Sequence, residues 1–209
     1  MFRVQYILKL GLVAAALIGT AETSAGQTLA ALPGSSLPAT AAGEARPILG
    51  WVKFCERHAR ECDVDTTEAA SVALTPRLWQ AIVSVNRRVN TSITPVTDQA
   101  HWGTPDSWDL PTDGSGDCED YQLLKRKLLA EAGVPRRAMR MTVVIDERRE
   151  GHAVLMVRTD RGDFILDNKT SAVLPWHETG YVFVKREGQD GPGWVSLGGA
   201  MSPIVTANR

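Results

Sequence analysis

The amino-acid sequence predicts an α+β fold, with helices packed on an antiparallel β-sheet. Two segments in the middle of the chain carry apolar residues at helical spacing. Three runs rich in β-branched residues follow them, separated only by short turn sequences. Because helices come first and strands second, instead of alternating, the strands are expected to pair in one antiparallel sheet.

The first predicted helix spans Thr75 to Asn90. Thr75 is a favourable N-cap, and Pro76 suits the first turn, where the missing N–H is not needed. The apolar residues then recur every three or four positions, at Leu78, Ile82, Val85 and Val89.

The second predicted helix runs from about Asp117 to Ala132 and stops at Gly133 and Pro135. Its expected apolar face is formed by Tyr121, Leu124 and Leu128. The residues that lie mostly off this face are Gln122, Lys125 and Arg126. The segment 92–116, which joins the two helices, lacks a periodic pattern, and so long a loop in a compact domain is usually functional.

The three predicted strands are Arg140 to Asp146, His152 to Thr159 and Asp163 to Asp167. The turn sequences ERREG and DRG separate them, which predicts an antiparallel meander. Two further short segments, Tyr181 to Lys185 and Trp194 to Leu197, are expected to extend the sheet.

The N-terminus has the pattern of a secretory signal peptide, predicted to span residues 1–25. An uncleaved membrane anchor is the alternative, but the apolar run 10–18 is well short of the roughly 20 residues that a spanning helix needs. Export is therefore expected. Residues 26–47, rich in Ala, Pro, Gly and Ser, are expected to form a flexible leader, and residues 48–209 a single domain.

The composition is that of an ordinary globular protein, with 44% hydrophobic and 22% charged residues. The formal net charge is −1. Because a nucleic-acid partner would need a basic face, this near-neutral charge argues against nucleic-acid binding.

Export would place the cysteines in an oxidising compartment, where Cys55 and Cys62 are expected to form a local disulfide. On one continuous helix seven residues span about 10 Å, too far for a disulfide, so the pairing requires this segment to bend. The alternative is a metal site built from Cys55, His58 and Cys62, whose spacings suit one face of a helix. That alternative lacks a visible fourth ligand.

The third cysteine, Cys118, stands in the sequence PTDGSGDCEDYQLLK at the start of the second predicted helix. Helix-terminal N–H groups and the helix dipole stabilise a thiolate there, which favours a nucleophile over a buried structural thiol. The neighbouring acids Asp117, Glu119 and Asp120 oppose a thiolate, because like charges repel. A bound cation is therefore expected to neutralise them.

A nucleophilic cysteine requires a base, and the base requires an acceptor that orients it. His152 opens one predicted strand and Asp167 closes the next. A two-residue turn near Arg161-Gly162 would place both on one face of the hairpin, offset by about four positions. A turn nearer Thr159-Asp160 would set them opposite each other. Surface or packing positions are expected for the other histidines, His58, His101 and His177.

Three longer segments, GDCEDYQLLKRKLLAEAGVP, GHAVLMVRTDRGDFILDN and PWHETGYVFVKRE, carry a resemblance to a known family. They resemble the bacterial transglutaminase-like cysteine proteinases, the LapG-like periplasmic proteases. The resemblance implies a papain-like or transglutaminase-like core, with the nucleophile helix packed on an antiparallel sheet. It implies a triad of Cys118, His152 and Asp167, and it assigns Asp106 and Trp108 to a loop that shapes the cleft.

The resemblance also implies calcium dependence, with ligands among Asp117, Glu119 and Asp120. The alternative is that these carboxylates only cap the helix. LapG-like proteases cut large cell-surface adhesins and are controlled by an inner-membrane receptor for cyclic di-GMP. The resemblance therefore implies a periplasmic location, an adhesin-like protein substrate and a receptor of this kind. Ala41-Ala42 in the leader resembles a di-alanine target, and in so Ala-rich a stretch coincidence is the expected explanation.

These observations favour a periplasmic cysteine endopeptidase. One alternative keeps the triad but changes the group that receives the acyl group from the enzyme, an amine or water. This gives a transglutaminase or amidase that acts on glutamine side chains or wall peptides. A second alternative is a non-catalytic periplasmic binding module that has kept the fold.

Overall fold

The computed structural model describes residues 31–199 of the chain. The predicted signal peptide and the first five residues of the predicted leader lie outside the described residues. The α-helices of the described range are α1 (Leu49–Arg57), α2 (Ala59–Cys62), α3 (Pro76–Ser92), α4 (Asp98–His101) and α5 (Cys118–Glu131). No helix in this range is long and apolar enough to cross a membrane.

The strands of the described range form one large sheet and one small one. They are β1 (Gly43–Ala45), β2 (Thr94–Pro95), β3 (Ser115–Gly116), β4 (Met139–Ile145), β5 (Gly151–Thr159), β6 (Gly162–Leu166), β7 (Leu174–Pro175), β8 (Val182–Glu187) and β9 (Trp194–Ser196). The large sheet has the order β1-β9-β8-β4-β5-β6-β7, and each neighbouring pair is antiparallel. This confirms the predicted meander of β4, β5 and β6 and its extension by two further strands.

The turn between β5 and β6 consists of Asp160 and Arg161, because pairing reaches Thr159 and Gly162. It lies one residue before the Arg161-Gly162 position considered from the sequence. Gly162 has a φ of +101°, a conformation that glycine adopts without the steric cost that other residues meet. The position of this turn determines which residues of β5 and β6 lie opposite each other along the whole hairpin.

Helix α3 begins as the sequence predicts. The side-chain oxygen of Thr75 accepts a hydrogen bond from the Leu78 N–H at 3.2 Å, and Pro76 occupies the first helical position. Ile82 and Val89, two of the predicted apolar residues, are fully buried. Helix α3 packs on α5 through this apolar face.

Helix α5 buries more of its circumference than the sequence predicts. Leu124 and Leu128 are only partly buried and pack against α3. A different stripe is fully buried, formed by Cys118, Gln122, Lys125 and Leu129. Gln122 and Lys125 lie off the face formed by Tyr121, Leu124 and Leu128, as predicted, but they are buried, because α5 packs on both α3 and the sheet and so has two buried faces.

The described part of the predicted leader makes specific contacts with the sheet. The Ser36 N–H donates to the Arg161 carbonyl at 2.8 Å, and the Ala39 N–H donates to the buried Asp163 carboxylate at 2.8 Å. Residues 43–45 form β1 at the edge of the large sheet. Ala39 packs in the apolar cluster on the sheet face opposite the main helical core, whereas Leu32 and Ala45 pack against that core. The contacts of the folded domain therefore begin before residue 48.

The long segment 92–116 also contains regular structure, which its lack of periodicity concealed. Helix α4 lies within it, and β2 pairs in parallel with β3. These elements are too short to produce a periodic pattern in the sequence.

The structure contains the predicted disulfide between Cys55 and Cys62, whose Cα atoms are 5.6 Å apart. The required bend lies at His58, where non-helical backbone angles separate α1 from α2. Because both sulfurs are bonded to each other, the alternative metal site is excluded. His58 instead contacts the Asp109 carboxylate at 3.1 Å.

We expect replacement of Cys55 and Cys62 by serine to lower the free energy of unfolding by about 2.5 kcal/mol, since the short loop is then open in the unfolded chain. Chemical denaturation of the oxidised wild type and the double variant measures this. Reduction should destabilise the wild type to the level of the variant and leave the variant unchanged. Equal stability of the two oxidised proteins would contradict the prediction.

Candidate active site

Cys118 is the first residue of α5, and its side chain lies against strand β5 of the sheet. The thiol is fully buried and donates a hydrogen bond to Oε2 of Glu119 at 3.1 Å. The Ala153 N–H in β5 donates to the Cys118 sulfur at 3.4 Å. Since His152 is the residue before Ala153, this contact ties the helix start to the strand that carries the predicted base.

His152 and Asp167 form a buried pair. Nε2 of His152 lies 2.8 Å from Oδ1 of Asp167, and both side chains are nearly inaccessible to solvent. The pairing of β5 with β6 ends at Leu155 and Leu166, and its continuation sets the two residues on one face, two positions apart. Such diagonal neighbours are within reach of long side chains. This offset lies between the two registers that the sequence left open, one with the two residues directly opposite each other and one with an offset of about four positions.

The electrostatics of this pair favour a charged imidazole. Burial alone would lower the pKa of His152, but the hydrogen bonds and charges of Asp167 and Cys118 outweigh it and raise this pKa to about 9. Burial alone would raise the pKa of Asp167, whereas its contacts with His152 hold it below its usual range. These contacts therefore favour the imidazolium form of His152 and the carboxylate form of Asp167.

Tyr181 completes the environment of Asp167 and was not identified from the sequence. Its hydroxyl donates to Oδ2 of Asp167 at 2.7 Å, and its ring packs edge-on against His152, with centroids 5.8 Å apart. The Lys169 N–H donates to Oδ1 of Asp167 at 3.0 Å. No spacing rule indicates Tyr181, because it precedes β8, which pairs with β4 and not with the strand that leads to Asp167.

Helix α3 holds the backbone that follows Asp167. The Asn90 side-chain amide donates to the carbonyls of Asp167 at 2.8 Å and Thr170 at 2.9 Å. The Asn86 amide donates to the carbonyls of Thr170 at 3.1 Å and Ser171 at 3.2 Å. These bonds fix the loop that carries the acid, and the sequence showed only that both asparagines lie on a helix.

Carboxylates that are buried, apart from the partly exposed Asp106, gather beside Cys118. The sequence predicted ligands at Asp117, Glu119 and Asp120, and the structure brings two more acids to them, Asp98 and Asp106. Oxygens of Asp98, Asp106 and Glu119 lie within 4.8 Å of one another, as do those of Asp98, Asp117 and Asp120. Asp106 had been assigned only to shaping the cleft, and Asp98 had not been identified. Nothing in their spacing along the chain indicates this convergence.

The carboxylates of this acidic cluster are poorly neutralised by the protein. Burial, reinforced by neighbouring carboxylates, raises the pKa of Asp98 to about 6 and that of Asp120 to about 8. Burial also raises the pKa of Glu119 well above its usual range. Oδ1 of Asp117 and Oε1 of Glu119 are buried without a hydrogen-bond partner in the described part of the chain. Such an all-oxygen set suits a hard divalent cation.

One of the predicted acids also acts as a helix cap. Asp120, the third residue of α5, accepts a hydrogen bond from the Asp117 N–H at 3.3 Å, as the acid of a capping box does. A Cβ at Gly116 would lie 2.6 Å from Oδ2 of Asp120, so the turn into the helix requires glycine. The capping and ligand interpretations are compatible, because each carboxylate oxygen can accept more than one interaction.

The cleft-shaping pair lies beside this cluster. Asp106 and Trp108 line a cavity of about 590 Å³, together with Lys53, Arg57 and Lys185. The Trp108 ring is itself fully buried, and its Nε1–H donates to Oδ1 of Asp106 at 3.0 Å. Cys118 and His152 do not line this cavity.

Comparison with known proteins places this arrangement in a family. The sequence profile of the bacterial transglutaminase-like cysteine proteinases matches residues 41–202. The chain belongs to this family. Its members are cysteine proteases, and the α+β fold, with helix α5 packed on an antiparallel sheet, is confirmed for this bacterial transglutaminase-like cysteine proteinase.

Solved structures of LapG from Legionella pneumophila are similar to this proteinase. The calcium-bound LapG is 21% identical, with 73% of this chain and 92% of LapG covered and a TM-score of 0.49. A second LapG structure is 22% identical, covering 76% and 91%, with a TM-score of 0.48. EGTA-treated LapG is 22% identical, covering 70% and 84%, with a TM-score of 0.45. A search of the curated proteins finds no significant match.

We expect Tyr181→Phe to slow the alkylation of Cys118 by iodoacetamide about fivefold, the effect of losing roughly 1 kcal/mol of hydrogen bonding to a carboxylate. The matched control is Tyr121→Phe, which removes a hydroxyl that donates at 2.7 Å to the Ile93 carbonyl, away from the triad. Both variants should lose similar stability, but only Tyr181→Phe should lose reactivity. An unchanged rate for Tyr181→Phe would show that the hydroxyl is dispensable.

Proposed function

We propose that this proteinase is a calcium-dependent endopeptidase that works through a triad of Cys118, His152 and Asp167. The observation that carries the proposal is the buried His152–Asp167 pair at 2.8 Å, set beside a cysteine at a helix N-terminus. A cysteine needs a neighbouring base to become a strong nucleophile, and the base needs an acceptor to orient it. Burial of all three groups strengthens their electrostatic interactions.

The proposed reaction follows from this geometry. The Cys118 sulfur attacks a peptide carbonyl carbon while His152 holds the thiol proton, and the imidazolium then gives that proton to the leaving amine as the C–N bond breaks. The resulting thioester is hydrolysed by a water whose proton passes to His152. Asp167 keeps the imidazole oriented throughout, and the Cys118 N–H at the start of α5 contributes to the oxyanion site.

The acidic cluster is the proposed calcium site. Asp98, Asp106, Asp117, Glu119 and Asp120 would hold the ion, and they supply enough oxygens for the about six to eight ligands that calcium takes. Bound there, calcium would neutralise negative charge next to the nucleophile. Glu119 is the link between the two sites, because its Oε2 accepts the hydrogen bond of the Cys118 thiol.

Export and substrate complete the proposal. The signal-peptide pattern supports a periplasmic location, and membership of a protease family implies a protein substrate. By resemblance we propose an adhesin-like cell-surface protein as the substrate and an inner-membrane receptor for cyclic di-GMP as the regulatory partner. A pull-down from membranes, with and without cyclic di-GMP, tests the receptor.

The triad is tested with iodoacetamide on the purified protein in calcium. We expect fast alkylation of Cys118 in the wild type, at least a hundredfold slower alkylation in His152→Ala because the base is gone, and none at this site in Cys118→Ala. Mass spectrometry locates the label. Slow alkylation that is indifferent to His152 would refute the triad and favour a non-catalytic module. Incorporation of a primary amine into protein substrates would instead favour a transglutaminase.

The calcium site is tested by thermal unfolding. We expect calcium to raise the melting temperature of the wild type, because a ligand that binds only the folded state stabilises it, and EGTA to reverse the effect. Asp98→Asn should abolish this response. The matched control is Asp63→Asn, which changes an exposed acid outside the cluster and should respond like the wild type. No calcium effect on the wild type would refute the site.

A further inference from the structure

A side-chain ion pair joins the two segments that carry His152 and Asp167. The pairing of β5 with β6 stops three residues short of His152 and one residue short of Asp167. Beyond this point the Lys169 ammonium donates a hydrogen bond to Oδ2 of Asp146, a contact between residues 23 positions apart in the chain. The proposed mechanism uses neither residue of this pair.

Asp146 holds the turn between β4 and β5. Its side chain is buried, and its Oδ1 accepts hydrogen bonds from the N–H groups of Arg148 at 2.9 Å and Glu150 at 2.8 Å. Arg149 has a φ of +67°, a left-handed conformation that a residue with a side chain keeps only where the surrounding contacts hold it. Because β5 begins directly after Glu150, the Asp146 carboxylate fixes the turn that leads into His152.

Lys169 holds the segment after Asp167. Its backbone N–H donates to Oδ1 of Asp167 at 3.0 Å, and the same oxygen lies 2.8 Å from Nε2 of His152. Its side chain is 34% exposed and reaches the Asp146 carboxylate, with Oε1 of Glu147 at 4.0 Å as a second acid. One residue thus contacts the acid of the triad through its backbone and the turn before the base through its side chain.

The start of β8 meets the same region. Ile145 pairs with Val182, so the residues beyond this pair, Asp146 and Tyr181, are neighbours where the two strands end. Tyr181 donates to Oδ2 of Asp167. The turn before β5, the segment after β6 and the start of β8 therefore come together beside Asp167.

We propose that Asp146 and Lys169 are positioning residues, which hold the segments of His152 and Asp167 at the separation that their hydrogen bond requires. This inference rests on the proposed triad, since it assigns a role only if Asp167 orients the base. Ladder hydrogen bonds set the separation of β5 and β6 along the paired part of the hairpin. The ion pair sets it where the ladder has ended.

The test uses Lys169→Met, Asp146→Asn and the double variant, near neutral pH in calcium. Methionine matches lysine in length and lacks the ammonium group, and asparagine keeps the Oδ1 acceptor of the turn while it loses the charge. The matched control is Arg158→Met. Arg158 also pairs a partly exposed cation with a buried acid, Asp163, at 3.1 Å, but at the far end of the same hairpin.

Three readouts separate positioning from stability. They are the melting temperature, the rate of Cys118 alkylation by iodoacetamide and the low-field proton resonance of the His152 Nε2–H, which reports the hydrogen bond to Asp167. For Lys169→Met we expect alkylation to slow about fivefold, the upper end of what a partly exposed ion pair contributes, and the resonance to shift or broaden. Lys169→Arg, which keeps the cation, should recover most of both.

Asp146→Asn should have the same effect as Lys169→Met. The double variant should lose no more than either single variant, because the two residues act as one unit. Arg158→Met should lose a similar small amount of stability and keep both the alkylation rate and the resonance.

Three results would overturn the inference. The first is a Lys169→Met protein with the wild-type rate and resonance. The second is an equal loss in Arg158→Met, which would assign the effect to the stability of the whole hairpin. The third is a double variant with additive losses, which would show that the two residues act separately. All three are distinct from failure of the triad, which would appear as a wild-type rate that does not depend on His152.

Discussion

The buried carboxyl groups at the first turn of α5 are the constraint on which the rest of the site depends. Asp117, Glu119 and Asp120 flank Cys118, and all are nearly inaccessible to solvent. The helix N-terminus favours negative charge, and Asp120 caps it, but these interactions satisfy only part of the carboxylate oxygens. A thiolate next to so many acids is unfavourable unless a cation balances them.

The position of the acidic cluster depends on hydrogen bonds that join the residues next to the disulfide to the segment 106–109. Arg57, at the end of α1, donates to the Trp108 carbonyl at 2.7 Å, and His58 contacts Asp109 at 3.1 Å. The Asp109 N–H in turn donates to Oδ1 of Asp120 at 2.8 Å. The bend that lets the cysteines pair therefore also directs α1 toward the loop that carries two of the acids. The disulfide closes the loop after α1, and the buried side chains of Trp51 and Trp108 pack against each other in the core beneath these contacts.

Helix α5 packs on α3 with one face and on the sheet with another, and this determines which of its residues are buried. Its leucines at 124 and 128 pack on α3, while the stripe that starts at Cys118 faces the other way. That stripe brings the Cys118 thiol against β5. Helix α5 thus sets the position of the thiol relative to β5, while the β5–β6 register sets His152 against Asp167.

The sequence by itself determined the element types, the antiparallel meander, the cap of α3 and the disulfide, and it singled out Cys118, His152 and Asp167 as candidates, because each depends on local spacing or on the chemistry of one residue. Only the tertiary structure decided the β5–β6 register, the contacts of residues 31–47 with the sheet and the burial of Lys125. It also decided that Asp98, Asp106 and Tyr181 join the site. These contacts link residues far apart in the chain, and they depend on which face each neighbouring element covers. A helix packed on two sides buries polar residues that an amphipathic pattern assigns to solvent.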